Sequence, residues 1–212
     1  MLPSTASVTT RSAPLPDSVV FIARFFVFAA LHSLFASRRL KQVLSRTPDG
    51  EPRCYRLVYN LASLAMLVWV VAAYRTSPVL YFVPGVWSLV MYVIQLIVFM
   101  LLADCVRQTG FSRFFGFMQF RLTEHSAPQL VTNGWYALVR HPLYLFSMLF
   151  MILNPVMTTQ WLLLTFMSLV YFIIGGIVEE KRLAREFGDA YMKYRLQVPF
   201  MIPKLMRPGR SR

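Results

Sequence analysis

Residues 142–178 read PLYLFSMLFMILNPVMTTQWLLLTFMSLVYFIIGGIV, without one charged side chain. Crossing ~30 Å of hydrocarbon takes about 20 apolar residues. The run is therefore too long for one crossing and long enough for two short ones joined by a tight turn. Asn154-Pro155 supplies the break, because proline has no N–H to give and restricts the residue before it. The other reading of the same run is a buried re-entrant loop, which would leave four crossings instead of five.

Working outward, three more apolar segments precede it, at about 19–36, 57–74 and 84–103, and the run itself divides at about 142–157 and 160–178. Composition agrees: 57% of the 212 residues are hydrophobic and only 15% charged, a balance unsuited to a soluble domain of this length. The expected fold is an all-α membrane protein of five transmembrane helices with a short cytosolic C-terminal helical cap. Residues 1–17, rich in Ser, Thr and Pro, are expected to be disordered and not a cleaved signal peptide. Residues 18–212 form a single domain.

A net charge of +13 invites a nucleic-acid reading, but lysine and arginine also gather in cytosolic loops and set topology. Residues 37–56, 104–141 and the tail from 179 hold all of the 22 basic residues except Arg11, Arg24 and Arg75. With five crossings those three segments share one face. The expectation is a multi-pass protein with its N-terminus outside, its C-terminus cytosolic and no nucleic-acid partner. Cys54 and Cys105 have no metal-ligand spacing and no disulfide framework, so no metal is expected.

Directly before the uncharged run stands Leu130-Val-Thr-Asn-Gly134-Trp-Tyr136-Ala-Leu-Val-Arg140-His141-Pro142-Leu-Tyr144. Proline suits a first helical position, where its missing N–H has no partner to lose. His141 then falls at the cap, and a helix start at the membrane boundary favours an anionic group. Arg140, His141 and Tyr144 share one face. Each has a plainer reading: an anchoring cation, a cap, a boundary aromatic.

Beyond the run, Glu179-Glu180 continue helically through Phe187, with Gly188 as the stop and Asp189 as cap of a short helix bearing Tyr191 and Tyr194. Two acids at a helix C-terminus oppose its dipole. Either the helix continues and pairs them with Lys181, Arg182 or Arg140, or they hold a ligand. Gly175-Gly176 permits a close approach beside them. Residues 110–122 mix aromatic and basic groups, as an interfacial helix does and as an ordinary loop with anchoring aromatics also does. His32 is an ionisable group inside an apolar run, a functional signal or a headgroup contact. Asn60 and Gln95 read as interhelical hydrogen-bond partners.

Over roughly residues 129–203 the chain resembles the isoprenylcysteine carboxyl methyltransferase family of integral membrane methyltransferases. The likeness rests on Leu130-Val-Thr-x-Gly134-x-Tyr136, on Arg140-His141-Pro142-x-Tyr144, and on Glu179-Glu180, Leu183, Phe187-Gly188, Tyr191, Tyr194 and Val198-Pro199. The N-terminal half is similar to the methanethiol S-methyltransferase and NnrU-type subfamily, through His32-Ser33, Arg56-x-x-Tyr59-Asn60 and Phe115-Gly116-Phe117-x-Gln119. The resemblance implies S-adenosylmethionine as methyl donor, held by Leu130, Gly134, Tyr136, His141, Tyr144, Glu179, Glu180 and Tyr191. It implies Arg140 near the acceptor, and His32 stands as a candidate base beside it. The pattern departs twice: Phe146 stands where the family has glycine, and Gln197 where prenylcysteine enzymes have arginine.

Those departures favour a small or lipophilic acceptor, a thiol before a prenylcysteine carboxylate or a lipid. Outside this class stand a non-catalytic membrane carrier or assembly protein of the same fold, and a membrane reductase, which needs more helices than this chain supplies. Oligomeric state is not legible.

Overall fold

The computed structural model of the chain describes residues 17–44, 55–73, 77–110 and 129–203. In order, these form α1 (Asp17–Ala36), α2 (Arg38–Leu44), α3 (Tyr55–Val71), β1 (Val79–Phe82), α4 (Val86–Gln108), a 3-10 turn (Gly134–Ala137), α5 (Pro142–Ile152), β2 (Val156–Thr158), α6 (Thr159–Phe187) and α7 (Asp189–Gln197). The expected disorder of residues 1–17 lies outside the described residues, save for Asp17, which opens α1. So does the expected interfacial helix at 110–122, apart from Gly110.

Three helices, α1, α4 and α6, are long and apolar enough to cross a membrane. Large side chains such as Phe26, Leu61, Leu89, Trp87 and Phe166 stand exposed on the bundle, a surface suited to lipid and not to water. The 17 residues of α3 and 11 of α5 rise only about 26 Å and 17 Å at 1.5 Å each. The five apolar segments are thus all helical, but two fall short of a full crossing by helix alone.

The fourth segment departs most from expectation. Its helix stops at Ile152 instead of reaching 157, and residues 156–158 pair antiparallel with β1 (Val79 with Thr158, Tyr81 with Met157, Phe82 with Val156). Pro155 removes a helical donor and Asn154 Oδ1 accepts from the Val156 N–H at 3.3 Å, turning the chain locally. Val83 N–H to Pro155 O and Thr159 N–H to Pro78 O, 2.9 and 3.0 Å, extend the pairing. An all-α expectation has no place for this pair, although Val79-Leu-Tyr-Phe is a strand-like run.

Helix α6 opens with the Thr158 side chain accepting from Trp161 N–H. It then runs 29 residues without a break, carrying Glu179 and Glu180 past the apolar stretch. Gly188, at φ 53°, allows the turn into α7, a conformation that costs other residues energy. Asp189 is the first residue of α7, not its cap, and its charge suits the positive helix start.

Packing gathers into three small cores: Phe21, Phe25, Val70, Ala73 and Leu164 between α1, α3 and α6; Val98, Cys105 and Phe146 between α4 and α5; and Tyr191, Tyr194 and Val198 under α7. Gln95 Nε2 donates across to the Phe150 carbonyl at 2.9 Å. Arg24 lies over the Trp69 ring and donates to its carbonyl. The first core and the strand pair bring together the start of α1, the end of α3, the starts of α4 and α6 and the end of α5. The opposite end of the bundle holds Gln108, Arg140, Pro142, Phe187 and α7.

Candidate active site

Arg140 joins three chain segments before α5 begins. Its backbone N–H donates to Pro199 O and that of His141 to Phe200 O, at 2.9 and 3.1 Å, so the returning tail lies against the approach to α5. The guanidinium Nη1 donates to the carbonyls of Arg195 and Val198, at 2.8 and 3.1 Å. These are carbonyls that the end of α7 leaves without helical partners. Its Nε stands 2.7 Å from Glu180 Oε1, and the two side chains are 11% and 8% exposed. Glu180 also meets His141 Nε2 and Arg195 Nε, each at 3.4 Å.

Glu179, one residue earlier, turns to a different face and is partly exposed. It accepts the Tyr144 hydroxyl at 3.1 Å and approaches Arg182 at 3.5 Å. His141 stacks on Tyr144 with rings 4° from parallel, and Tyr144 stacks on Phe172 at 3°. Three flat rings therefore stand in a row. Burial holds His141 below its ordinary pKa, against the opposing pull of Glu179 and Glu180. The ring is accordingly neutral at pH 7. Although His141 sits at the N-cap of α5, its side chain makes no cap hydrogen bond. A Cβ on Gly176 would come within 2.6 Å of Phe200 Cζ and 3.4 Å of His141 Nε2, so glycine there lets the tail ring close over the histidine.

The segment before α5 is fastened to the end of α4. Trp135 Nε1 donates to Asp104 Oδ2 at 2.9 Å, and Trp135 N–H to Gln108 Oε1 at 3.1 Å. Gly134, at φ 59°, packs so tightly on the Gln108 side chain that a Cβ there would push the Gln108 amide out of place. Tyr136 follows, its carbonyl accepting the Tyr194 hydroxyl at 2.7 Å. Burial raises the pKa of Tyr136, Tyr191 and Tyr194, the latter two to about 12, so all three keep their protons at pH 7.

These elements enclose a cavity of about 700 Å³. Of the residues picked from sequence, Leu130, Tyr136, Arg140, His141, Tyr144, Glu179 and Tyr191 line it, with Leu102, Val106, Leu143, Ser147, Phe172, Leu183, Phe187 and Tyr194 among the others. Glu180 stands behind Arg140 and His141, off the wall. Gly134 shapes the approach without lining the cavity. His32 is elsewhere: its Nδ1 lies 2.9 Å from Ser63 Oγ and its Nε2 2.7 Å from the Tyr59 hydroxyl, among Phe28, Tyr59 and Tyr171. Phe146 faces away, edge-on to Trp135 beside Val98 and Cys105, and Gln197 is exposed. Neither departure from the family pattern alters the cavity wall.

Four buried polar atoms lack an aligned hydrogen-bond partner among the described residues: Arg140 Nε, His141 Nε2, Glu180 Oε1 and the Tyr191 hydroxyl. The first three face one another as charges and dipoles. Tyr191 is 1% exposed and borders the cavity, near enough to Glu180 and Arg140 to feel their charges but with no hydrogen-bond partner among the described residues. A buried hydroxyl left unpaired is costly, and a ligand atom in the cavity would satisfy it.

The NnrU protein family model matches residues 20–205. The chain belongs to that family. Among curated proteins, the NnrU chain is 26% identical to methanethiol S-methyltransferase of Crocosphaera subtropica, over 95% of its own length and 81% of the relative's. It is 24% identical to methanethiol S-methyltransferase 1 of Bradyrhizobium diazoefficiens, over 96% and 73%. With methanethiol S-methyltransferase 2 of that organism the identity is 37%, confined to 45% of this chain and 37% of the relative. No solved structure matches. The subfamily likeness read from the N-terminal half of the sequence agrees with these matches.

Several residues of the NnrU site were not legible beforehand. Phe172 stands seven residues before Glu179, two turns along one helix face, a spacing that was available in the sequence. Arg195, Phe200 and the Asp104–Gln108–Trp135 fastening depend on distant segments meeting, and no local pattern announces them.

Proposed function

We propose that this NnrU protein is an integral membrane methyltransferase that takes its methyl group from S-adenosylmethionine and delivers it to the sulfur of a small thiol. The observation that carries the proposal is the cavity itself. At one end it offers a carboxylate (Glu179), a guanidinium (Arg140), a stacked aromatic row and the unpaired Tyr191 hydroxyl. Toward the bundle its walls turn apolar. The names of the relatives, methanethiol S-methyltransferases in each case, support the reaction class and the acceptor.

The residues fit such a donor. About 700 Å³ lies within the range of pockets for ligands of that size. Glu179 suits an ammonium group or ribose hydroxyls. Arg140 suits a carboxylate, and the Tyr144–Phe172 faces suit a cation or a flat base. Leu130, Tyr136, His141 and Tyr191 complete the wall, with Gly134 and Glu180 acting from behind it.

When bound, S-adenosylmethionine supplies an electrophilic methyl group whose departure leaves the electron pair of the broken bond on the donor sulfur. The protein's share is positioning. Closing two reactants to attack distance accounts for ~7–11 kcal/mol of such a barrier. A thiol reacts as its thiolate. Neutral His141 adds no repulsion toward a cationic donor. The thiol proton leaves to water at the mouth of the cavity. His32, held by Tyr59 and Ser63 off the cavity, has no part in this scheme.

In the same reading the five apolar helices form five crossings, with the strand pair outside and the basic end cytosolic, where the donor is made. Gln197 stands off the cavity wall, so the preference for a thiol over a prenylcysteine carboxylate rests on the names of the relatives. The test is a labelled-methyl assay on purified protein against thiols, prenylcysteines and lipids, with donor binding measured by calorimetry. We expect labelled thioether from methanethiol, and loss of donor binding in Glu179→Gln. Absence of donor binding in the unaltered protein overturns the enzyme reading and favours a carrier of the same fold. Donor binding with label appearing only in carboxyl esters or lipids overturns the thiol.

A further inference from the structure

The proposed reaction leaves open where in the cavity the acceptor sits. Helices α4 and α6 flank α5 on two sides, and the cavity lies over α5 between them. Its charged layer is set by Arg140, His141, Glu179 and Tyr191. At 1.5 Å per residue, Ser147 lies about 8 Å along α5 from Pro142, and Phe172 about 10 Å along α6 from Glu179. Leu102 is at a similar distance from Gln108, the last residue of α4. One turn or two beyond the charged layer, the wall therefore includes Leu102, Phe172 and Ser147, with Val106 and Leu143 nearer that layer.

Among the described residues of that inner wall, Ser147 alone is neither aliphatic nor aromatic. A serine in an apolar helix ordinarily returns its hydroxyl to a carbonyl one turn earlier. Thr165 does so here, donating to Trp161 O at 2.7 Å. Ser147 has no hydrogen bond among those of the described residues, while its residue lines the cavity. A small hydroxyl on an otherwise greasy wall matches an acceptor with one polar atom and a short apolar body.

We propose that Ser147 is the acceptor-binding residue of this site, its hydroxyl hydrogen-bonding the sulfur of the incoming thiol and its small volume leaving room for the alkyl group. The inference rests on the methyltransferase reading and adds the acceptor's position to it. Arg140, Glu179 and Tyr191 would hold the donor in the charged layer and Ser147 the acceptor on the inner wall, which would leave Tyr144 and Phe172 beside the reacting atoms. The bond formed is acceptor sulfur to methyl carbon, and the bond broken is donor sulfur to the same carbon. The thiol's proton goes to water.

The experiment uses the full chain in lipid nanodiscs, with methanethiol and 1-octanethiol as acceptors and donor affinity measured separately. Ser147→Ala should raise the KM for methanethiol about tenfold, the loss expected for one hydrogen bond to a charged sulfur, with donor affinity and kcat nearly unchanged. Ser147→Thr, which keeps the hydroxyl, should restore the methanethiol KM. Ser147→Leu should abolish turnover of both thiols while the donor still binds. An unchanged methanethiol KM in Ser147→Ala, or thiol turnover by Ser147→Leu at the unaltered rate, overturns the assignment and leaves the methyltransferase reading standing. Failure of the unaltered protein to bind donor or methylate either thiol overturns both together.

Discussion

Arg140 Nε and Glu180 Oε1 face each other at 2.7 Å in a place almost closed to water. The pair ties the start of α5 to α6, while the rest of the guanidinium holds the carbonyls that end α7. Removing one partner strands the other as a buried charge, a loss of about 3–5 kcal/mol. Arg140→Ala and Glu180→Ala should therefore each lower the thermal midpoint sharply in detergent. Arg140→Lys should fall between, because an ammonium lacks the fork that reaches three groups at once. Equal midpoints for Arg140→Ala and the unaltered chain would remove the structural role given to the pair.

Tyr191 sets stability against binding. Its hydroxyl is buried without a hydrogen-bond partner among the described residues, so Tyr191→Phe should relieve a cost of about 1–3 kcal/mol in the ligand-free chain. The expected outcome is an unchanged or raised thermal midpoint together with weaker donor binding by calorimetry. A drop in midpoint with donor affinity intact would mean that the hydroxyl serves the fold and not the ligand.

The fastening of Trp135 to Asp104 and Gln108 acts on the cavity from outside. Trp135→Phe keeps the ring that packs on Phe146 and loses the hydrogen bond to Asp104 Oδ2. Asp104 is partly exposed, so the stability loss should be small. Because Tyr136 and Leu130 ride on this segment, donor dissociation should quicken more than stability falls. Hydrogen exchange of residues 130–138, compared between variant and parent, reads the loosening directly.

His141 predicts an acid sensitivity. In the unfolded chain it titrates near 6.5, and in the fold burial, with Arg140 adding to it, holds its pKa lower despite Glu179 and Glu180. Between those two values the unfolded chain binds more protons than the folded one. Stability therefore drops as pH falls below 6.5 and is flat with respect to this group above it. Thermal midpoints between about pH 8 and pH 5 measure the slope. His141→Gln should flatten it, and an identical slope in that variant would move the effect to another group.

The sequence announced what is local and periodic. The apolar segments, the proline that opens α5, the glycine that closes α6 and the shared face of Arg140, His141 and Tyr144 all follow from spacing within one element. Glu179 and Glu180 read in sequence as acids out of place, and the structure divides them: one on the cavity wall, one behind it. What spacing does not carry is which side of a helix meets which distant segment. That is why no local pattern announces Arg195 and Phe200, and why a histidine in an apolar run such as His32 does not reveal that it packs against Tyr59, Ser63 and Tyr171. The strand pair was hidden for a related reason: a short apolar run beside a proline reads equally well as the end of a helix, and only its partner decides.

The brevity of α5 reaches beyond the protein itself. Its 11 residues rise about 17 Å, against about 44 Å for the 29 of α6. In the proposed topology the strand pair lies at the outer end of the α4–α5 flank and adds nothing to the helical rise of α5. Acyl chains next to α5 would meet a shorter helical column than those next to α6, and would compress or tilt to match it. The protein should accordingly favour bilayers of modest thickness and concentrate there when offered a choice.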